Sequence, residues 1–200
     1  ILPGGSNPIF PKEACFVMKK AVWSFFMIVA VLLMATAAFA AVEAPLVVTT
    51  CGQSPGAVMA KMSCMQAKLS PVESDNQLTA EGIKGKGYKT LMVTTGTSLK
   101  GMGAAGTDVD KEIDRVKTLI EAAKAEGMMV IGAHIEGMAR RTDASDEASI
   151  KAVMPLVDLI LIVADSDKDG FFTAYAKELN KPLRVAKDAL GVGAALVEYK

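Results

Sequence analysis

Apolar runs alternate with segments of helical periodicity along most of the chain, and this alternation limits the possible folds more than any other feature. The apolar runs lie at 45–50, 88–95, 128–135, 157–164 and 183–186, with a weaker one near Val72. Helical spacing of apolar residues occurs at 55–69, 78–84, 107–127, 146–157, 171–179 and 190–197. Strands that are apolar on both faces are typical of a parallel sheet covered by helices on both sides. We therefore predict an α/β fold, a three-layer sandwich with a mainly parallel sheet, flavodoxin-like or Rossmann-like.

Residues 18–40 have the layout of a secretory signal peptide. Two lysines begin the segment, an apolar run follows at 21–37, and the small-x-small tripeptide Ala-Phe-Ala ends it at Ala40. An uncleaved membrane anchor is the alternative, because about twenty apolar residues span a bilayer. We interpret 1–17 as upstream sequence, 18–40 as the signal peptide and 41–200 as a single α/β domain. We expect an exported protein, periplasmic or extracellular, with no stable membrane insertion after cleavage.

Charge and cysteine content limit the partners and the covalent links. The chain has 22 Lys and Arg and 22 Asp and Glu, so its formal net charge is zero. Because a protein that binds nucleic acid needs a surplus of basic residues, nothing here favours a nucleic-acid partner. Cys51 and Cys64 are the cysteines of the predicted mature domain. A helix over 55–69 places Cys64 about 14 Å from the helix start at Pro55, at about 1.5 Å per residue, and Cys51 lies before that start. A disulfide needs Cα atoms within about 7 Å, so we expect both thiols to be free.

The loops that follow the strands contain most of the polar candidates for a ligand site. In an open parallel sheet, ligands bind beyond the carboxyl ends of the strands, where the strand order reverses. Free amides at a helix start and nearby hydroxyls attract anions, and an arginine donates two parallel bonds to a carboxylate or phosphate. We expect Ser54 also to cap the first helix, and the glycine-rich stretch 96–106 to be a flexible flap or a plain loop. The predicted ligand contacts are Ser54, Thr95, Thr97, Ser98, Lys100 and Arg140.

A second hypothesis places nucleophilic chemistry at the same loops. Cys51 precedes a predicted helix, whose dipole lowers a thiol pKa, and His134 and Glu136 follow another strand. Cys51 is then the candidate catalytic nucleophile, with His134 or Glu136 as the base. The alternative for His134, the only histidine of the chain, is a structural role with its ring bonded to backbone groups.

The sequence predicts neither a cofactor nor a metal. A G-x-G-x-x-G pattern begins at Gly101, six residues after the strand that ends at Thr95, whereas a dinucleotide fingerprint begins next to its strand. The run 165–170 matches half of a calcium loop, but Ala176 stands where a bidentate glutamate is required. We expect the methionines mostly in the core, without the exposed clusters that methionine-rich metal delivery needs.

Four motifs carry a resemblance to a known family: CGQSPGA (51–57), GMGAAGTD (101–108), HIEGMARR (134–141) and DGFFTAYAKE (169–178). The chain resembles, over about 45–198, a family of exported bacterial proteins described as a domain of unknown function. The resemblance implies an exported α/β domain and brings no reaction, cofactor or catalytic residue.

Three functions remain open at this point, and the sequence does not decide whether the protein is an enzyme. The leading hypothesis is a binding domain for a small anionic molecule in a cleft at the strand ends. The second is a hydrolase or transferase that depends on the Cys51 thiol. The third is an interaction module without a ligand, and the oligomeric state is open in all three.

Overall fold

A computed structural model describes residues 41–198, in which six strands form one sheet. The predicted upstream segment and signal peptide lie outside the described residues. The strands are β1 (Leu46–Cys51), β2 (Val72–Ser74), β3 (Thr90–Thr95), β4 (Met129–His134), β5 (Leu159–Val163) and β6 (Leu183–Ala186). The helices are α1 (Gly56–Gln66), α2 (Ala80–Ile83), α3 (Leu99–Ala105), α4 (Val109–Ala125), α5 (Ala144–Val153), α6 (Phe171–Glu178) and α7 (Val192–Val197).

All neighbouring strands pair in parallel, in the order β2-β1-β3-β4-β5-β6. The first five strands have the flavodoxin-like order rather than the Rossmann order, and β6 extends the sheet beyond β5. The chain moves from β1 to one edge and then returns to build the other side, so the order reverses between β1 and β3. The structure confirms the predicted α/β fold and selects the flavodoxin-like alternative.

Helices cover both faces of the sheet, and alternate strand residues divide between two cores. Apolar residues of α2, α4, α5 and α6 pack with Val47, Leu91 and Ile160 on one face. Residues of α1 and α7 pack with Leu46 and Met92 on the other face. Such two-sided burial explains why the strands read as continuous apolar runs. Within residues 41–198, none of the helices has the length and hydropathy needed to cross a membrane.

Helix α1 buries its small residues and exposes several of its large apolar ones, whereas most methionines elsewhere in residues 41–198 are buried in the core, as expected. Val58, Met62 and Met65 are 48%, 61% and 53% exposed. Ser63 instead faces the protein, where a Cβ atom on Gly193 of α7 would lie 2.2 Å from the Ser63 carbonyl oxygen. The two helices approach so closely that only small side chains fit between them and the sheet.

Most of the glycine-rich stretch is a helix, so both predictions for it, a flexible flap and a plain loop, are wrong. It forms α3, whose N-cap Ser98 accepts a hydrogen bond from the Gly101 amide at 3.1 Å. A Cβ atom on Gly101 would lie 2.2 Å from the carbonyl oxygen of Gln53, in the loop after β1. The glycine therefore allows α3 to pack against that loop.

Candidate functional site

The carboxyl ends of β1, β3 and β4 bring the predicted site residues to one edge of the sheet. Cys51 of β1 lies in register with Thr95 of β3, and β4 follows on the other side of β3. The loops after β1 and β3 are joined by a hydrogen bond from the Ser98 amide to the Gly52 carbonyl at 2.8 Å. The edge is therefore a connected network of loops.

An internal carboxylate occupies the helix start at which we expected an anionic ligand. Glu136 Oε1 accepts from the Gly56 amide at the start of α1, at 3.1 Å, and its Oε2 accepts from Arg140 Nε, also at 3.1 Å. The Glu136 side chain is 9% exposed. Arg140 also donates to the Thr97 carbonyl at 2.5 Å. Glu136 and Arg140 thus satisfy each other and the helix start, in place of a bound ligand.

A second carboxylate, Asp146 at the start of α5, holds the loop after β3. Its Oδ1 accepts from the Thr97 amide at 2.7 Å and from the Thr97 hydroxyl at 2.9 Å, and its Oδ2 accepts from the Thr142 amide at 3.0 Å. Burial acts to raise the pKa of Asp146, but the hydrogen bonds from Thr142 and Thr97 outweigh it, so the pKa is lowered. Thr97 therefore has its donors taken within the chain.

A third carboxylate, Glu112 of α4, binds the loop after β1. It accepts from the Gly52 amide at 3.2 Å and pairs with Arg115 at 2.8 Å. Both side chains are largely buried. Together with Glu136 and Asp146, it places a carboxylate of the protein itself at each of the loops for which we predicted anion binding.

The remaining predicted ligand contacts have varied surroundings. Ser54 is buried with its hydroxyl 3.2 Å from that of Thr50, and Pro55 is the N-cap of α1, so the predicted Ser54 cap is wrong. The Thr95 hydroxyl is buried against His134. Lys100 is exposed on α3. A ligand-binding role for these residues stays a prediction.

The proposed Cys51–His134 pair does not form. Their strands, β1 and β4, are separated by β3, and two strand spacings amount to about 10 Å. Burial raises the pKa of the Cys51 thiol to about 11, so the expected lowering by the helix dipole is wrong. A fully buried thiol with a raised pKa has the opposite of the properties that a nucleophile needs.

His134 is held as a neutral, structural histidine. Its Nε2 lies 3.1 Å from the Gly137 carbonyl, which can only accept, so Nε2 carries the proton. Nδ1 then accepts from the Thr95 hydroxyl at 3.0 Å. Burial lowers the pKa of His134 to about 4, and the ring packs 5.0 Å from that of Phe172. The structure thus matches the alternative that the sequence left open for this residue.

An open cleft of about 440 Å³ lies beside the strand ends, between the loops that follow β4 and β5. We call it the Arg141 cleft. Asp143 and Glu147 belong to the start of α5, and Phe171 begins α6. The cleft thus combines a guanidinium group, two carboxylates and apolar surface, and its lining residues include Arg141, Thr142, Asp143, Glu147, Ile150 and Phe171.

None of the residues that line this cleft is among the predicted ligand contacts, and Arg141 is the most densely bonded of them. Its Nη1 and Nη2 donate to the two carboxylate oxygens of Asp169, at 2.8 and 2.9 Å. Nη1 also donates to the Ser166 carbonyl at 2.9 Å, and the guanidinium carbon lies 4.3 Å from the centre of the Phe171 ring. Arg141 in turn lowers the pKa of Asp169 to about 2. The adjacent arginines of HIEGMARR were the available signal, but Asp169 follows another strand and could not be identified as the partner.

The Arg141 guanidinium keeps hydrogen-bonding capacity. Of its five N–H groups, Nε–H and one Nη2–H have no acceptor among residues 41–198. The side chain is only 13% exposed. Arg141 is therefore a largely enclosed cation with two N–H donors still available at the edge of the cleft.

This chain has matches among solved structures. None of the curated proteins matches it. A GDSL-like lipase structure from Bacteroides thetaiotaomicron VPI-5482 is 13% identical, with 70% of this chain and 67% of that chain covered and a TM-score of 0.38. A "putative acylhydrolase" from Bacteroides fragilis NCTC 9343 is 12% identical, with coverages of 74% and 72% and a TM-score of 0.34. At TM-scores this low, neither similarity carries an argument about activity.

The family of the chain is identified by a family model. The model described as Domain of unknown function (DUF6305) matches residues 43–199. The four motifs identified in the sequence all lie in this range. The match confirms the resemblance to a family described as a domain of unknown function, and the chain belongs to the DUF6305 family.

Proposed function

We propose that this protein is an exported binding domain whose ligand is a small zwitterion with an apolar group, such as a free amino acid, held in the Arg141 cleft. One observation carries the proposal. Arg141 keeps two N–H donors in a cleft that also contains carboxylates and an aromatic ring. The anion site predicted at the strand ends moves to this neighbouring cleft, because internal carboxylates occupy the strand-end donors.

The available donors of Arg141 suit a carboxylate. Asp169 takes the end of the guanidinium formed by Nη1 and Nη2, and the remaining donors are Nε–H and one Nη2–H. A guanidinium edge with two N–H groups binds a carboxylate through two parallel hydrogen bonds. The stacked Phe171 ring limits the motion of the guanidinium, so less conformational entropy is lost on binding.

The acidic side chains of the cleft suit a positive group on the same ligand. Asp169 already balances the charge of Arg141. Asp143 uses Oδ1 to cap α5, and its Oδ2 accepts no hydrogen bond within residues 41–198. Glu147 pairs with Lys151 at 2.6 Å, but both side chains are 58% exposed, and exposed pairs of this kind are weak. A ligand with a carboxylate alone meets these charges unfavourably, whereas an ammonium group is attracted by them.

The thiol-dependent hydrolase receives no support from the geometry. Cys51 is buried, separated from His134 by a strand, and carries a raised pKa. The available polar groups of the Arg141 cleft suit the binding and orientation of a ligand, and no cysteine or histidine of residues 41–198 lines it. Binding without a chemical step is therefore the function that this arrangement supports best.

Three matched probes test the proposal by calorimetric titration. L-phenylalanine has both charged groups, 3-phenylpropanoate lacks the ammonium group, and 2-phenylethylamine lacks the carboxylate. We expect L-phenylalanine to bind, and each of the other two to bind at least about tenfold more weakly, because a charge-assisted hydrogen bond contributes about 1.5–3 kcal/mol.

Two neighbouring arginines provide matched variants for the same titration. Arg141→Lys removes the two-donor edge, so we expect affinity for L-phenylalanine to fall at least about tenfold. Arg140→Lys changes the strand-end pair with Glu136 and should leave the affinity unchanged. Absence of binding by all three probes, or a loss with Arg140→Lys alone, would overturn the proposal. The melting temperature of each variant separates loss of binding from loss of folding.

A further inference from the structure

A carboxylate of the Arg141 cleft already holds an ammonium group that belongs to the protein itself. Glu147 lines the cleft, and Lys151 stands one turn further along α5, outside the lining formed by residues 41–198. The Lys151 Nζ lies 2.6 Å from Glu147 Oε1. A primary ammonium group on an alkyl chain is thus seated on an acidic side chain of the cleft. This is the chemical group that the proposed ligand brings to the same place.

The Lys151 ammonium group is held weakly enough to be replaced. Both side chains of the pair are more than half exposed. An exposed pair at this spacing on a helix contributes little, because water solvates both charges and the long side chains lose entropy. The Glu147 carboxylate raises the pKa of Lys151, with smaller electrostatic contributions from Tyr175 and Glu178 of α6. Glu178 is therefore a second negative charge near Lys151 when another cation takes Glu147.

We propose, in an inference that rests on the function proposed above, that Glu147 is the subsite for the ammonium group of the ligand and that Lys151 is its built-in competitor. The ligand ammonium group replaces the Lys151 Nζ at Glu147, and the flexible lysine side chain turns toward Glu178. Asp143 is less suited to this role, because its Oδ1 accepts two backbone amides at the start of α5. The competition lowers affinity only for ligands that have an ammonium group.

Calorimetric titration of the variant Lys151→Met measures the competition. Methionine keeps an unbranched side chain and a high helix propensity, and it has no charge. We expect affinity for L-phenylalanine to rise about two- to threefold, because the pair that is lost is weak. Affinity for 3-phenylpropanoate, which has no ammonium group, should stay unchanged or fall. Lys177→Met removes an exposed charge of α6 instead, and it should leave both affinities unchanged.

A double-mutant cycle with Glu147→Gln assigns the effect to one carboxylate. In the Glu147→Gln background, we expect Lys151→Met to give no gain in affinity for L-phenylalanine, because no carboxylate is released. A gain of equal size in both backgrounds, or for both probes, would overturn the inference.

Two further outcomes separate this inference from the proposed function. Equal binding of L-phenylalanine by the unmodified protein and by Lys151→Met would overturn the inference and leave the proposed function in place. Absence of binding by both proteins would overturn the proposed function, and the inference with it. The melting temperature of each variant shows that the fold is retained.

Discussion

Buried polar side chains at the strand ends find their partners within the chain. Glu136, Asp146 and Glu112 each accept backbone amides from a loop that is distant in sequence. An unpaired buried amide or carboxylate costs several kcal/mol, so such internal pairing is favoured wherever a loop can supply it. Residue spacing places the polar groups at the strand ends, but it does not identify the partners, which are 49 to 80 residues apart.

His134 makes the stability of the fold depend on pH between about pH 4 and about pH 6.5. Its folded pKa is about 4, against an ordinary value of 6.5, so the unfolded chain binds a proton before the folded protein does. Stability is therefore complete above about pH 6.5 and decreases as pH falls toward 4. We expect the free energy of unfolding to fall by about 2–3 kcal/mol between about pH 7 and about pH 4.5, at 1.36 kcal/mol per pKa unit.

Urea unfolding at both pH values measures this decrease. Since the chain has one histidine, the variant His134→Gln isolates its contribution. Glutamine keeps an N–H donor for the Gly137 carbonyl and does not titrate. We expect the pH dependence above about pH 4.5 to disappear in the variant. An equal decrease in both proteins would show that His134 is not its source.

Elements in this fold are positioned by close backbone approach at specific glycines. α3 packs against the loop after β1 at Gly101, and α7 packs against α1 at Gly193. The glycine-rich composition of 96–106 predicts a loop, because glycine disfavours helices. Tertiary packing overrides this preference, since only glycine permits the contact between Gly101 and the Gln53 carbonyl.

Two glycines of the same helix separate the effects of packing and of helix propensity. Alanine at position 101 would place a Cβ atom 2.2 Å from the Gln53 carbonyl oxygen, whereas Gly103 has no such neighbour within 4 Å. We expect Gly101→Ala to lower the free energy of unfolding by about 1–3 kcal/mol through overpacking. We expect Gly103→Ala to raise it by about 0.5–1 kcal/mol. Urea denaturation measures both, and equal effects of the two substitutions would contradict this account of α3.

At the scale of the whole molecule, the sheet separates the two cysteines. Cys51 belongs to the core beneath α4 and α5, and Cys64 to the core beneath α1 and α7. Both thiols are free, as predicted from the helix length. Burial raises the pKa of each to about 11.

Thiol alkylation reports on this burial. We expect iodoacetamide at about pH 8 to leave Cys51 and Cys64 unmodified in the native protein and to modify both in denaturing urea, because reaction requires an exposed thiolate. Peptide mapping identifies the modified residues. The variant Lys100→Cys, which adds an exposed thiol on α3, shows that the reagent is active under native conditions. Modification of native Cys51 would restore the nucleophile hypothesis.

The sequence by itself determined the α/β class, the parallel sheet and the positions of the polar loops. These properties depend on local periodicity and on burial of both strand faces, and both produce a recognisable pattern of apolar residues in the sequence. Only the tertiary structure decided the strand order, the partners of Glu136 and Asp146, the helix at the glycine-rich stretch and the exposed side of α1. Each of these depends on which distant segments meet, and that is settled by close packing and by the pairing of buried polar groups, which leave no periodic pattern in a single sequence.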